Sequence, residues 1–125
     1  MQYLTLIHID PTLMADLPDA KFDRLMRGCF EKADALQQDG CLHGSQQLEA
    51  PETAKTLRVR DGISRVTDGP FAETREFLAG FNLIEADSMD AAMQIAQQFP
   101  WARFGSIEVR PVRDTQAVRD RVGAT

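Results

Sequence analysis

Cysteine is scarce, with only Cys29 and Cys41 in 125 residues. Two cysteines are too few for a disulfide framework and lack zinc-type spacing, so both are expected to be free, buried thiols. Histidine is equally rare: His8 and His43 form no H-x-x-x-H pattern and no carboxylate cluster, so no metal and no cofactor is expected. Apolar runs are short, and none approaches the ~18–20 residues of a membrane span. No basic stretch and apolar segment open the chain as a secretion signal would, so no membrane association is expected and the cytoplasm is the expected location. Basic residues are outnumbered, 14 Lys and Arg against 19 Asp and Glu, and the net charge of −5 argues against a nucleic-acid partner.

What remains is the composition of an ordinary globular domain, 43% hydrophobic and 26% charged, with enough chain for its own core. The expected domain spans residues 1–112. A polar tail, residues 113–125, is read as either helical or disordered.

Tyr3 to Ile9 is rich in β-formers and stops at Asp10-Pro11, which predicts a strand. Leu4, Leu6 and His8 share one of its faces, and Tyr3, Thr5, Ile7 and Ile9 the other. Both faces carry apolar side chains, so both need cover. Phe22, Leu25, Met26, Cys29, Phe30, Ala33 and Leu36 then recur at spacings of three and four, the stripe of an amphipathic helix that Asp19 would cap and Gly40 end. Cys41 to Leu48 predicts a second strand.

Asp61-Gly62 lies between the β-prone runs Lys55–Arg60 and Ile63–Thr67, the strongest short-range signal for a hairpin. A two-residue turn there sets Arg58 opposite Arg65, with Arg60 on the same face. Like charges so placed repel. Three resolutions stand open: splaying into solvent, neutralisation by Glu73 and Glu76, or binding of a small acidic ligand. Ala79 to Ala86 reads as a further strand, apolar on both sides, with Asn82 as a polar residue needing partners. Asp87 or Ser88 would cap a second helix bearing Ala92, Ile95, Ala96 and Phe99, and Gly105 to Pro111 closes the domain as a strand. This order is the split βαβ pattern of an α+β, ferredoxin-like sandwich (βαββαβ) with an inserted β-hairpin. Two helices cover one face of such a sheet. A second copy packing face to face is the economical cover for the other, so a homodimer is expected, with the hairpin or the tail as alternative covers.

The most specialised stretch is Asp68-Gly69-Pro70-Phe71-Ala72-Glu73-Thr74-Arg75-Glu76. Gly69 tolerates positive φ, and Pro70 fixes its own φ and pushes Gly69 away from the α region. Two readings compete. In one the turn is structural, with Phe71 plugging the core and Glu73 and Glu76 paired with arginines. In the other Asp68 is a general base or anchor with Glu73 as its partner, while Arg58, Arg60, Phe71 and Arg75 bind a small acidic substrate. His8, near the carboxyl end of the first strand, is a further catalytic candidate, or else a satisfied core residue.

The run Val66 to Glu76, with Thr53 to Gly62 before it and Ile84-Glu85-Ala86 and Gly105 to Pro111 after it, resembles the DGPF branch of the YCII-related proteins over nearly the whole chain. The resemblance implies a dimeric ferredoxin-like α+β fold and, for some members, a link to alternative sigma factors of the extracytoplasmic-function type. Two functions are therefore carried forward: a small-molecule enzyme or lyase-like isomerase with a pocket near the signature, and a non-catalytic ligand-binding or regulatory module associated with a sigma factor. Relatives in the wider group carry a His-Asp pair with the His inside the first helix. Here the helix from Lys21 to Gln38 has no His, and Gly28 falls near that place, so the pair does not carry over. Arg75 stands where Lys is usual, and Ala79 where Gly is common.

Overall fold

A computed structural model describes residues 1–124; Thr125, the last residue of the tail, lies outside them. Alternation along β1 (Gln2–Ile9) buries Tyr3, Thr5, Ile7 and Ile9 on one face and leaves Leu4, Leu6 and His8 half-buried on the other. On either side of β1 lie β5 (Phe77–Glu85) and β6 (Gly105–Pro111), and β2 (Leu42–Gln47) pairs with the outer edge of β5. All three pairings are antiparallel. The long helix α2 (Asp19–Gln38) and the shorter α3 (Met89–Gln97) supply Cys29, Leu36 and Ala92 to the core formed with Tyr3, Ile7 and Ile84. The result is an α+β fold of the ferredoxin-like kind.

The opposite sheet face is apolar without being buried. Leu4 pairs with Leu83 and Leu6 with Phe81, and all four side chains stay half-exposed. The hairpin does not cover them. Strands β3 (Lys55–Arg60) and β4 (Ile63–Asp68) form a separate two-stranded sheet on which Leu57, Val59, Ile63 and Val66 are all exposed. Its register is the one the turn dictates, Arg58 opposite Arg65 and Arg60 opposite Ile63. Asp61 at φ 52° and Gly62 at φ 76° both take the left-handed conformation of a type I′ turn.

Several local expectations shift. Pro18 rather than Asp19 precedes α2, and Asp19 opens the first turn, where its charge suits the helix dipole. The C-terminal stop at Gly40 is a Schellman closure: Gly40 N–H donates to Gln37 C=O and Cys41 N–H to Leu36 C=O. Phe30 of the apolar stripe is exposed, and Cys41 is half-buried rather than buried. Ser88, not Asp87, caps α3 by accepting from the Ala91 N–H at 3.1 Å. β5 begins at Phe77, two residues ahead of the expected Ala79, because a bulge opposite Ile7 and His8 lets pairing continue. A one-turn helix, α1 (Pro11–Met14), follows Asp10, and α4 (Thr115–Val122) occupies much of the tail. Among the described residues no helix is long and apolar enough to cross a membrane.

Candidate functional site

Polar and titratable side chains gather at the carboxyl end of β1. His8 points to the open sheet face, and its neighbours across the β1–β6 pairing bring Ser106 and Glu108 to the same face. His8 Nε2 lies 3.7 Å from Glu108 Oε1, within ion-pair range when the imidazole is protonated. Ser106 Oγ donates to Glu76 Oε2 at 2.8 Å. β6 reaches His8 closely because residue 105 is glycine: a Cβ there would fall 2.0 Å from the His8 carbonyl oxygen.

Asp10, the next residue but one, is buried at 4% exposure, and every bond it makes is structural. Its Oδ1 accepts from the Thr12 N–H at 3.0 Å and the Thr12 hydroxyl at 2.7 Å, capping α1, with Pro11 at the first helical position. Its Oδ2 accepts from Arg75 Nε at 2.9 Å. The Thr12 hydroxyl bond, more than the Arg75 charge, holds the Asp10 carboxyl below its ordinary range, against the opposing effect of burial. Arg75 is thereby anchored through one nitrogen. Among the described residues its two terminal nitrogens have no protein partner.

His8, Asp10, Thr74, Arg75, Glu76, Ser106 and Glu108 line one open depression of about 620 Å³. The second half of the signature thus reaches the end of β1. The first half does not. Asp68 is 86% exposed and pairs with Lys55 Nζ across the hairpin at 2.7 Å. The backbone around Gly69, at φ 96°, is tied to β3 instead: its N–H donates to Ala54 C=O at 2.7 Å, and its C=O accepts from the Thr56 hydroxyl at 2.9 Å. Phe71 is 80% exposed rather than a core plug, and its C=O accepts from Arg58 at 3.1 Å. Arg60 donates to the neighbouring Val59 C=O. Neither Glu73 nor Glu76 pairs with the hairpin arginines: Glu73 is exposed, and Glu76 turns to Ser106. Of the candidates read from sequence, then, His8 and Arg75 line the depression, while Asp68, Glu73, Arg58, Arg60 and Phe71 lie outside its lining.

Sequence reasoning missed Asp10, Ser106 and Glu108. Asp10-Pro11-Thr12 was legible as a cap, since an Asx side chain before a proline and a threonine is a helix-start signal. Its pairing with Arg75, 65 positions away, was not. His43 lies 3.5 Å from Glu85 at the far end of the sheet and does not line this depression. Among the described residues no group of three or more His, Cys, Asp or Glu is placed to hold a metal.

A small ferredoxin-like α+β protein with a polar depression at the end of its first strand is the class that fold and site define. The chain belongs to the YCII-related family, whose domain profile matches residues 1–116. It is 35% identical over 114 residues to an uncharacterised protein of Rhizobium meliloti (strain 1021), covering 90% of this chain and 92% of that one. Its fold is similar to that of the 5-chloro-2-hydroxyhydroquinone dehydrochlorinase TftG from Burkholderia phenoliruptrix AC1100, solved with 2,5-dihydroxybenzoquinone. The TM-score is 0.53 and the identity 13%, over 94% of this chain and 98% of that one, a likeness of fold.

Proposed function

We propose that this protein is a small-molecule enzyme of the DGPF branch, acting in the cytoplasm on a small acidic substrate by proton transfer. The observation that carries the reading is the meeting, in one depression, of a proton carrier and an anchored cation. Arg75, fixed through Nε by Asp10, offers its terminal nitrogens to a substrate carboxylate. His8 takes the substrate proton as general base and returns it as general acid. Glu108, 3.7 Å away, is an opposite charge for the imidazolium formed in between. The dehydrochlorinase name of the structural neighbour is compatible with this class of activity and supplies no residue roles.

The working form in this reading is a homodimer. His8, Ser106 and Glu108 share the sheet face on which Leu4, Leu6, Phe81 and Leu83 stay half-exposed, so a second copy packed there shelters the depression from bulk water. A thermal-shift screen of small carboxylic acids, followed by NMR of solvent deuterium exchange into each hit, tests the proposal. The expected result is that wild type catalyses exchange, His8→Gln binds the hit without catalysing exchange, and Arg75→Gln loses binding. Binding that survives Arg75→Gln, or exchange that survives His8→Gln, refutes it; hits without exchange in wild type leave a binding module instead.

A further inference from the structure

The β3–β4 hairpin is a two-stranded ribbon with nothing of its own chain packed over it: every residue from Leu57 to Asp68 is exposed. Strands of six residues make it roughly 20 Å long. A lone hairpin of this kind is marginal in water and needs a packed face. One face is made for packing. Pairing sets Leu57 beside Val66 and Val59 beside Ser64, so three aliphatic side chains, each more than half exposed, share one side of the ribbon. We propose that the hairpin is an arm that docks, with this side down, on a second copy of the chain. The proposal rests on the homodimer reading above and says what the hairpin does in that dimer.

Charge, position and area select that occupant. The hairpin holds Lys55, Arg58, Arg60 and Arg65 against Asp61 and Asp68, an excess of two positive charges on a chain of net charge −5, which leaves the rest of the chain at −7. Among the described residues no carboxylate pairs with Arg58, Arg60 or Arg65. The basic arm meets its complement on the acidic body of another copy. Its root lies where such a copy is within reach. β2 is an outer strand of the four-stranded sheet, and the chain leaves it after Leu48, whose N–H still donates to Ala79 C=O at 2.8 Å. The arm therefore springs from a sheet edge, beside the open face on which Leu4, Leu6, Phe81 and Leu83 stay half-exposed. A stable interface takes roughly 20–30 residues a side, more than the alternate residues of one small sheet face supply. Two arms related by a two-fold axis, each lying on the other copy, enlarge that contact with a single kind of patch.

Mixed dimers refolded from ¹³C-methyl-labelled and unlabelled chains test the arm directly. Isotope-filtered NMR should show contacts between the Leu57, Val59 and Val66 methyl groups of the labelled chain and protons of the unlabelled one. In sedimentation equilibrium, Leu57→Ser/Val66→Ser should raise the dimer dissociation constant at least about tenfold, the effect of exposing two aliphatic side chains that the interface buries. Amide exchange in β1 and β5 of the monomeric variant should match that of monomeric wild type, since the hairpin packs on nothing in its own chain. If the double variant does not fold, the filtered spectra of wild type decide. A dimer without those methyl contacts, or one whose dissociation constant is unmoved by Leu57→Ser/Val66→Ser, overturns the arm and leaves the homodimer standing. A chain that stays monomeric at every concentration overturns both.

Discussion

Gly105→Ala should be among the most damaging single-methyl changes available to this chain, because it strikes the seam that builds the polar depression. The new Cβ would fall 2.0 Å from the His8 carbonyl oxygen, 2.9 Å from its carbon and 3.0 Å from the Ile9 Cα. All three are backbone atoms, so no side chain can turn aside. Restoring an ordinary contact of at least 3.4 Å requires β1 and β6 to part locally by about 1.4 Å. That displacement breaks the pairing of Ile9 with Gly105 and strains the adjacent bond from Asp10 N–H to Phe104 C=O, now 2.8 Å. Overpacking of this kind costs roughly 1–3 kcal/mol, and a lost backbone hydrogen bond about 1 more. A loss of about 2–4 kcal/mol is therefore expected in urea unfolding, read from the midpoint at constant slope. Gly28→Ala is the control. Gly28 sits within α2 with nothing within 4 Å of an added Cβ, so alanine should stabilise by about 0.5–1 kcal/mol through backbone entropy alone. A Gly105→Ala loss below about 0.5 kcal/mol would refute the claim that close backbone approach at this glycine sets the spacing of the site.

Two further outcomes test other joints of the structure. The Asp10 pKa is lowered by folding, so its contribution to stability is complete above the unfolded value near 3.8 and is lost as the pH falls from there through the lower folded value. Acid unfolding of Asp10→Asn should accordingly be flatter in that window than in wild type, and identical acid limbs would show that the bonds from Thr12 and Arg75 do not favour the carboxylate. Asp68→Ala, which removes an exposed partner of Lys55, should change stability by less than about 1 kcal/mol and leave the exchange proposed for the depression intact, both read on one purified variant. Lost exchange in a folded Asp68→Ala protein would return Asp68 to the catalytic machinery.

The fold was legible because its information is local. Period-two alternation in β1, the three-and-four spacing of α2 and the Asp61-Gly62 dipeptide each fix an element through neighbours in sequence, and the hairpin register followed from turn geometry alone. Errors gathered where tertiary contacts overrule local pattern. Phe30 reads as core by spacing, but it stays exposed at 54%. The Phe77-Leu78 start of β5 was lost because it depends on a bulge against His8, which no pattern within β5 announces.

The site was half legible for the same reason, and the signature shows why. Its charged residues look like a single constellation in sequence, in which Asp68 reads as a general base or anchor with Glu73 as its partner. In space the stretch is a bridge with two differently anchored ends. Asp68, Gly69 and Phe71 are fastened to β3 by Lys55, Ala54, Thr56 and Arg58, while Arg75 and Glu76 are fastened to Asp10 and Ser106. The rigid Gly69-Pro70 turn is bound to the hairpin, so its stiffness sets where the following residues leave β3 and how Arg75 and Glu76 arrive at the end of β1. Asp68, Gly69 and Pro70, the most distinctive residues of the chain, thus fix the course of the bridge from outside the depression, whereas Arg75 at its far end lines it. The groups they serve, His8, Asp10 and Glu108, stand in ordinary strand and cap contexts where sequence alone gives them no emphasis.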